Sequence, residues 1–478
     1  MLVPSMISGA RPSYRSSCIC AVRSSSLRFS RTMSSSAIWG LPYVCRAIHD
    51  TGRYYIVGDR AVNEWYVCAG IPPSPATPHA QVTRERLCPM ARTRYAVAGL
   101  VVSIGTSLMG SGLLSSLMGV RSKRAGISAG VMGVAMAMYY VGFVAGIPAM
   151  TRIHERISRR WQFVCCTTAM GLGSAAYGLI VHPVAWLGLR FATGFCIAGC
   201  YLVVESWLHD ISHNDIRGKV MGAYVGVASA GMAMGQLILS VVDPSSWVPF
   251  AIAGAITGMA WVPLFAVKVG GGERHQRTGT LTMLEVARLV PSGIIGFLLV
   301  GLTQGCLLMM ASVYAARAGL SAGQVALFVG AITAGAVLLQ IPIGVIADRV
   351  SRRLVMVVLC VVASLLCLVL LNTAPGTAPA YLLAFALGGF SAPLYALGNA
   401  YTHDWLPPGQ GVPASSALLS TYSLGAVFGP LLAAVSMTMF GTSGFFWALL
   451  IAHSMLALFM AYRIVVAPDR AFVPIGVD

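Results

Sequence analysis

The chain has 478 residues, of which 57% are hydrophobic and only 10% charged, against roughly a quarter charged in an ordinary globular protein. This composition excludes a water-soluble core as the main structure. The formal charge of +17 would suit a nucleic-acid partner, but the basic residues sit in separate short segments with no aromatic-interleaved patch, so no nucleic acid is expected.

In chain order, residues 1–94 come first as a non-membrane, Arg/Ser-rich extension. They hold twelve arginines, no lysine, four acids (Asp50, Asp59, Glu64, Glu85) and a proline cluster at Pro72, Pro73, Pro75 and Pro78. The apolar run of a secretory signal is absent. Two readings stand: an organellar transit peptide, which shares this composition, or a start codon assigned too early, with Met90 opening the functional chain. The second is preferred.

From Tyr95 to Val466 the sequence is a series of apolar stretches, each long enough at about 1.5 Å per residue to cross roughly 30 Å of hydrocarbon. At bilayer depth each must satisfy its own backbone hydrogen bonds, and unbroken runs of this length do so as helices. The alternation of a membrane barrel is absent. Twelve transmembrane helices are expected, at 95–120, 127–150, 162–181, 184–208, 218–241, 246–268, 290–316, 323–347, 353–371, 379–401, 412–439 and 443–466. They divide into a six-helix bundle over 95–268, a cytoplasmic linker over 269–289 containing Gly270-Gly271-Gly272, a second six-helix bundle over 290–466 and a tail over 467–478. If both termini are cytoplasmic, the inner segments receive Arg152, Arg156, Arg159, Arg160, Arg217, Lys219, Arg274, Arg277, Arg349, Arg352 and Arg353, and the outer loops only Arg121, Lys123, Arg124 and Arg317. This is the positive-inside pattern, and it fixes the orientation; the chain is expected in the cytoplasmic (inner) membrane.

The twelve cysteines are scattered without metal-ligand spacing, and Cys165, Cys166, Cys196, Cys200 and Cys306 fall inside apolar runs, as small core residues do. There is no nucleotide or zinc motif, so no cofactor or metal is expected. Paired acids and nucleophile arrangements are scarce at bilayer depth, which argues against an enzyme.

An internal repeat runs through this region. His209-Asp210 recurs as His403-Asp404, an offset of 194 residues, and at the same offset Gly194 matches Gly388, Tyr201 matches Tyr395, Gly231-x-x-x-Gly235 matches Gly425-x-x-x-Gly429, and Ile147-Pro148 matches Ile341-Pro342. The offset spans an even number of helices, so the halves are parallel repeats, an arrangement that places a substrate site near the midplane between them.

Gly344-x-x-x-Asp348-Arg349-x-Ser351-Arg352-Arg353 resembles the loop motif of the major facilitator superfamily. Its first-half copy, Glu155-Arg156-x-Ser158-Arg159-Arg160, lacks the glycine. Trp186-x-x-x-Arg190-x-x-x-Gly194 resembles the same superfamily's fourth-helix motif, and Glu205-Ser-Trp-Leu-His-Asp, followed by a glycine-rich helix led by Arg217, resembles the bacterial YcaD-like branch. The resemblance implies a major facilitator fold: an all-α integral membrane protein whose two halves rock about a site lined by helices 1, 4, 7 and 10. It also implies a role for Arg190 in anionic substrate binding or proton coupling. One departure is that the Gly-Pro pair of drug/proton antiporters is Gly235-Gln236 here, with Gly429-Pro430 on helix 11 instead.

The residues themselves point to a short set of candidates. Arg190 is an intramembrane cation, which costs about 2.5–3.5 kcal/mol at mid-bilayer unless it snorkels or faces a cavity. Its repeat position is Ala384, so it serves only one half. Glu205 is the first candidate for a proton-carrying carboxylate, the alternative being a structural pair with Arg152 or Arg217. Tyr201 and Tyr395, each one turn before a polar residue (Glu205 and Asn399), are cavity walls or interhelical packing. Gln236, Gln304, Gln340 and Asn399 are expected mostly to tie helices together, with one or two reaching substrate. Glu155, Arg156, Gly344, Asp348, Arg349, Arg352 and Arg353 are read as gating elements. The expected function is secondary transport of a small solute by a monomer, coupled to protons; a non-transporting sensor or scaffold that keeps the fold is the alternative.

Overall fold

The computed structural model describes strands between residues 28 and 70 and, beyond them, residues 89–211, 214–266, 283–406 and 411–466. The side chains of His209 and Arg217, the linker glycines Gly270–Gly272 and the tail over 467–478 lie outside the described residues. Two units are separated at Pro89/Met90. The first carries an antiparallel meander that the sequence reading did not anticipate: β1 (Arg28–Phe29), β2 (Tyr43–His49), β3 (Gly52–Asp59) and β4 (Glu64–Gly70), in that spatial order.

The second unit is helical. Its elements are α1 (Pro89–Arg124), α2 (Ala129–His154), α3 (Arg159–Leu179), α4 (Pro183–Ile211), α5 (Asn214–Ile238), α6 (Val248–Gly258), α7 (Val262–Ala266), α8 (Met283–Leu289), α9 (Pro291–Arg317), α10 (Ala322–Ala347), α11 (Arg352–Leu371), α12 (Ala378–Ser391), α13 (Pro393–Asp404), α14 (Gly411–Met439) and α15 (Gly444–Val466). Local chemistry sets several boundaries. Ser128 accepts a hydrogen bond from Val131 N at the start of α2, Ser158 accepts one from Trp161 N at the start of α3, and Ser321 with Gln324 forms a reciprocal capping box on α10.

Among the described residues, eleven segments are long and apolar enough to cross a membrane. The expected third span, α3, is 21 residues long but is not among them, since Arg159, Arg160, Gln162 and a run of Thr, Ser and Gly lower its hydropathy. Two spans are interrupted. The sixth bends between α6 and α7, and the tenth breaks at Ala392, because Pro393 has no N–H for the helix ladder. Part of the expected linker, Met283–Leu289, is the short helix α8, whose Val286 is fully buried against Ile294, Phe297 and Leu418.

The repeat appears as matched packing. In the first half α2 packs on α4 and α3 on α6; in the second α10 packs on α12 and α11 on α15. A Cβ on Gly194 would lie 1.8 Å from Tyr139 O, and one on its repeat mate Gly388 would lie 2.0 Å from Ile332 O, so only glycine permits either crossing. The paired GxxxG segments behave alike: a Cβ on Gly235 would meet Met109 O of α1 at 1.8 Å, and one on Gly425 would meet Leu298 O of α9 at 2.0 Å. Matched ion pairs close each half at one end, Arg159 with Asp210 at 2.5 Å and Arg352 with Asp404.

The halves themselves join at one end of the bundle. The largest apolar cluster draws on both, with Leu117, Val120, Ile127 and Met132 from the first packed among Met310, Val313, Ala316, Phe328 and Ala434 from the second. Ser312 Oγ donates to Ser115 O at 2.9 Å there, Arg317 donates to Ile127 O, and Thr333 Oγ1 donates to Gln236 Oε1 at 2.9 Å. Towards the opposite end the buried clusters separate. One contains first-half residues such as Met150, Phe163, Val204 and Trp207, and two others contain second-half residues such as Val300, Leu359, Leu394 and Leu418.

Candidate functional site

Helix α4 carries three of the candidate residues. Its start is anchored by Trp186, fully buried, whose Nε1 donates to Ile180 O at 2.8 Å. One turn on, Arg190 is 4% exposed, and its guanidinium carbon lies 5.9 Å from the ring centres of both Tyr139 and Tyr177. Its Nε and Nη2 have no hydrogen-bond partner, and neither has the Tyr177 hydroxyl. The cation is therefore held by aromatic faces and not by a carboxylate, an attraction of about 0.5–2 kcal/mol per ring depending on desolvation. It does not snorkel. In the second half the equivalent Ala384 is fully buried.

Fifteen residues further along, about 22 Å at 1.5 Å per residue, Glu205 is half-buried and accepts a hydrogen bond on Oε1 from the Tyr224 hydroxyl at 3.2 Å. Arg152 does not take that place, and the Arg217 side chain lies outside the described residues. Tyr201 stands one turn before this carboxylate on the same helix, and Tyr395 of the second half is near enough to act on it electrostatically. Tyr201 packs edge-on against Phe143 at 6.1 Å. Tyr395, 37% exposed, meets Tyr422 at 4.9 Å with the rings at 82°, and Phe297 backs the pair at 5.2 and 5.9 Å. Between the two polar centres, Tyr139 and Tyr140 sit together on α2. Tyr139 turns toward Arg190, and Tyr140 comes within electrostatic reach of Tyr422 in the other half.

Two of the glutamines tie helices. Gln236 is fully buried and holds Thr333 across the halves. Gln304 donates to Ser391 O at 2.5 Å, and this carbonyl is free because Tyr395 N turns to Ala392 O at the helix break. Ser391 Oγ in turn meets His453 Nε2 at 2.9 Å, while His453 Nδ1 sits 2.8 Å from Leu449 O. That network was not found by sequence reasoning. Gln340 on α10 and Asn399 on α13 are half-buried and take part in none of these contacts.

The loop-motif residues sit at the end where the halves separate. Arg352 bridges Asp404 and, at 4.0 Å, Asp348, which caps α10 and is exposed. Arg353 is almost fully buried, 5.0 Å from the ring centres of both Tyr401 and Trp405, and donates to Arg463 O at 3.2 Å. Gly344 has open space beside it, Arg349 and Arg156 are exposed, and Glu155 caps α2. Among the described residues no group of His, Cys, Asp and Glu is arranged to hold a metal.

The residues that sequence reasoning missed are Tyr139, Tyr140, Tyr177, Tyr224 and Tyr422. Their one available signal was the Tyr-Tyr doublet inside an apolar run.

The sequence profile of the Major Facilitator Superfamily matches residues 100–292 and 293–475. Relatives include the uncharacterized MFS-type transporter Ent638_1421 of Enterobacter sp. (strain 638), 29% identical over 64% of this chain and 79% of its own. Another is the uncharacterized MFS-type transporter YcaD of Escherichia coli O9:H4 (strain HS), 28% identical over 65% of this chain and 80% of its own. Among solved structures, the nucleoside transporter NupG aligns with a TM-score of 0.65 at 13% identity, covering 77% of this chain and 98% of that one. A bacterial homolog to human lysosomal transporter Spinster, in an inward-facing and unoccupied conformation, aligns with a TM-score of 0.62 at 15% identity, covering 78% of this chain and 95% of that one. The low identities carry the fold alone. With its matched helix pairs, membrane-length spans and family profile, the chain belongs to the Major Facilitator Superfamily, as a multi-pass membrane protein resembling the YcaD-like branch.

Proposed function

We propose that the protein is a proton-coupled secondary transporter that moves a small solute by alternating access, working as a monomer in the cytoplasmic membrane with both termini inside. The observation that carries this reading is the asymmetry of the core: one apolar cluster joins the halves at one end, and at the other end the fully buried residues of each cluster come from a single half, with only the partly buried Leu419 reaching across among the described residues. In the orientation expected from the basic loops, the joined end is external and the conformation faces inward. The bundles 95–268 and 290–466 act as the two bodies, connected through 269–289.

In this mechanism Glu205 carries the coupling proton. It stands where tyrosines of both halves meet, so its protonation state is felt by each. Arg190, with two guanidinium nitrogens lacking acceptors, is the polar group at the other end of the tyrosine path. Asp348 and Glu155, capping α10 and α2, act with Arg352 and their neighbouring arginines as the inner gate, a two-state element whose bonding changes as the halves close.

The test is proton movement into proteoliposomes holding a pH-sensitive dye, on addition of amino acids, sugars, organic acids or organic cations. One class drives proton flux, Glu205→Gln abolishes it, and a bismaleimide bridge between Ser115→Cys and Ser312→Cys, on a background with the native cysteines replaced, stops it by pinning the joined end. If no class moves protons and the bridge changes nothing measurable, the transporter reading fails and the fold-retaining sensor or scaffold takes its place.

A further inference from the structure

At the joined end of the bundle the basic residues gather in one corner. The helical unit has four described Lys and Arg there, Arg121, Lys123, Arg124 and Arg317, on the side where the expected orientation makes basic residues scarce. Three of them end α1, and Arg317, from the close of α9 in the other half, donates to Ile127 O in the loop that follows α1. Backbone bonds from Ala125 N to Arg121 O, Gly126 N to Lys123 O and Ile127 N to Ser122 O fold that loop tightly, so the four charges crowd around one short turn. The sole acid described at this end of the helical unit, Asp243, meets Arg124 at 4.0 Å, and Arg121 donates to Ser245 O at 2.8 Å. Lys123 stays exposed, and Arg317 Nε has no hydrogen-bond partner.

Beside that turn lie two apolar grooves. One, of about 380 Å³, runs between α2 and α14 along Val134, Leu431, Val435 and Met439. The other, of about 460 Å³, runs between α2 and the start of α4 along Val131, Val134, Val184 and Leu187, and its rim is Ser128, the residue after Ile127. The grooves share Gly130 and Val134, so both open on the same face of α2, with Val134, 42% exposed, as the ridge between them. The two hydroxyls along the walls are engaged within their own helices: Ser128 accepts from Val131 N, and Thr438 donates to Ala434 O. From Met439 to Leu431 the first groove is about 12 Å long by helix rise, close to the roughly 15 Å of hydrocarbon in one leaflet.

Two adjoining apolar channels under a single excess of positive charge match the shape of a two-chain lipid with an anionic head. We propose that this corner binds one diacyl anionic phospholipid, with a chain in each groove on either side of Val134 and its phosphate against Lys123 and Arg317. A zwitterionic lipid would fill the grooves equally but bring its own ammonium to the cations, and a free phosphate would lack the chains. Arg317 and α14 belong to one half, and Lys123, α2 and α4 to the other, so the lipid fastens the halves where they are joined. The site stands apart from Arg190 and Glu205 and does not depend on the transporter reading.

The experiment is native mass spectrometry of the full chain in detergent, equilibrated with equal amounts of dioleoyl phosphatidylglycerol and dioleoyl phosphatidylcholine, and separately with oleoyl lysophosphatidylglycerol and with glycerol 3-phosphate. One phosphatidylglycerol is retained at least about tenfold over phosphatidylcholine, since each surface cation acting on an anionic lipid contributes a factor of about five. The single-chain lipid and glycerol 3-phosphate are retained at least about tenfold less, because each lacks buried methylenes. Lys123→Gln, which touches no bond between the halves, lowers the ratio about fivefold. Gly130→Trp, whose Cβ would come no nearer than 3.8 Å to its neighbours, lays a ring across the wall both grooves share and lowers retained phosphatidylglycerol at least about fivefold. Leu365→Trp on α11, a site 55% exposed and outside both grooves, leaves retention unchanged. Thermal unfolding confirms that each variant is folded. Equal retention of the two diacyl lipids overturns the proposal, as does lysolipid or glycerol 3-phosphate retained on a par with phosphatidylglycerol. So does phosphatidylglycerol held alike by wild type and folded Gly130→Trp, the mark of annular lipid only. None of these outcomes enters the proton-flux assay, so failure here leaves the transporter reading standing.

Discussion

Replacing Arg190 by leucine should leave the protein's stability almost unchanged while stopping its function. An arginine at the centre of a membrane helix costs about 2.5–3.5 kcal/mol, whereas leucine is favourable by roughly 0.3–0.6 kcal/mol. Against this, Arg190 receives attraction from two rings, each 5.9 Å from its guanidinium carbon. For a desolvated cation, at up to about 2 kcal/mol each, these contacts return roughly 2–4 kcal/mol. No ion pair adds to this, and two of its nitrogens lack acceptors. The terms nearly cancel, so Arg190→Leu should leave the stability of the fold within about 1 kcal/mol of wild type, a change in melting temperature of no more than about 2 °C for a chain of this size. Tryptophan fluorescence on a heating ramp measures it, and the proton-flux assay on the same preparation should show loss of transport. A melting temperature several degrees below wild type would refute the reasoning, since it would make the guanidinium a structural tie between α2, α3 and α4. Full flux in a stable Leu variant would remove Arg190 from the transport path.

Two further outcomes follow from the repeat. Gly194→Leu and Gly388→Leu should both abolish accumulation of folded protein, because their Cβ atoms would fall 1.8 and 2.0 Å from carbonyl oxygens of the crossing helix, while Gly188→Ala on the same α4, with nothing within 4 Å, should be neutral to within about 0.5 kcal/mol; fluorescence size-exclusion chromatography distinguishes them. A double-mutant cycle on Arg159–Asp210, with side chains 13% and 22% exposed, should give a coupling near 1 kcal/mol, above that of Arg352–Asp404 at 26% and 52%, and both should shrink in high salt.

Much of this architecture was legible in the residue pattern because it is local or repetitive. The spans follow from runs of apolar residues, and the matched crossings follow from Gly194/Gly388 and the paired GxxxG segments, since a close approach demands glycine wherever the chain is read. The break in the tenth span had a signal too, Pro393, but its consequence did not: the freed Ser391 carbonyl is taken by Gln304, and Ser391 Oγ by His453, from helices distant in sequence. The tyrosines were hidden for a different reason. An aromatic residue in an apolar run looks like packing, and only assembly shows that Tyr139 covers Arg190 and Tyr224 serves Glu205. Which end of the bundle is joined was not legible at all, because it depends on contacts between helices distant in sequence.

The contacts fall on two sides of a boundary with different consequences. The glycine crossings described above and the Gln304–Ser391–His453 network lie inside a half, and a rigid rocking of the halves leaves them intact. The bonds from Ser312 to Ser115, Arg317 to Ile127 and Thr333 to Gln236 lie between halves, and in the proposed alternating-access cycle they would dissolve each time the joined end opens. Substitutions in the first group therefore change how hard the molecule is to unfold and leave its resting conformation alone. Those in the second group shift the proportion of molecules facing each side and barely move the melting temperature, so a heating experiment alone would pass over the residues that govern turnover.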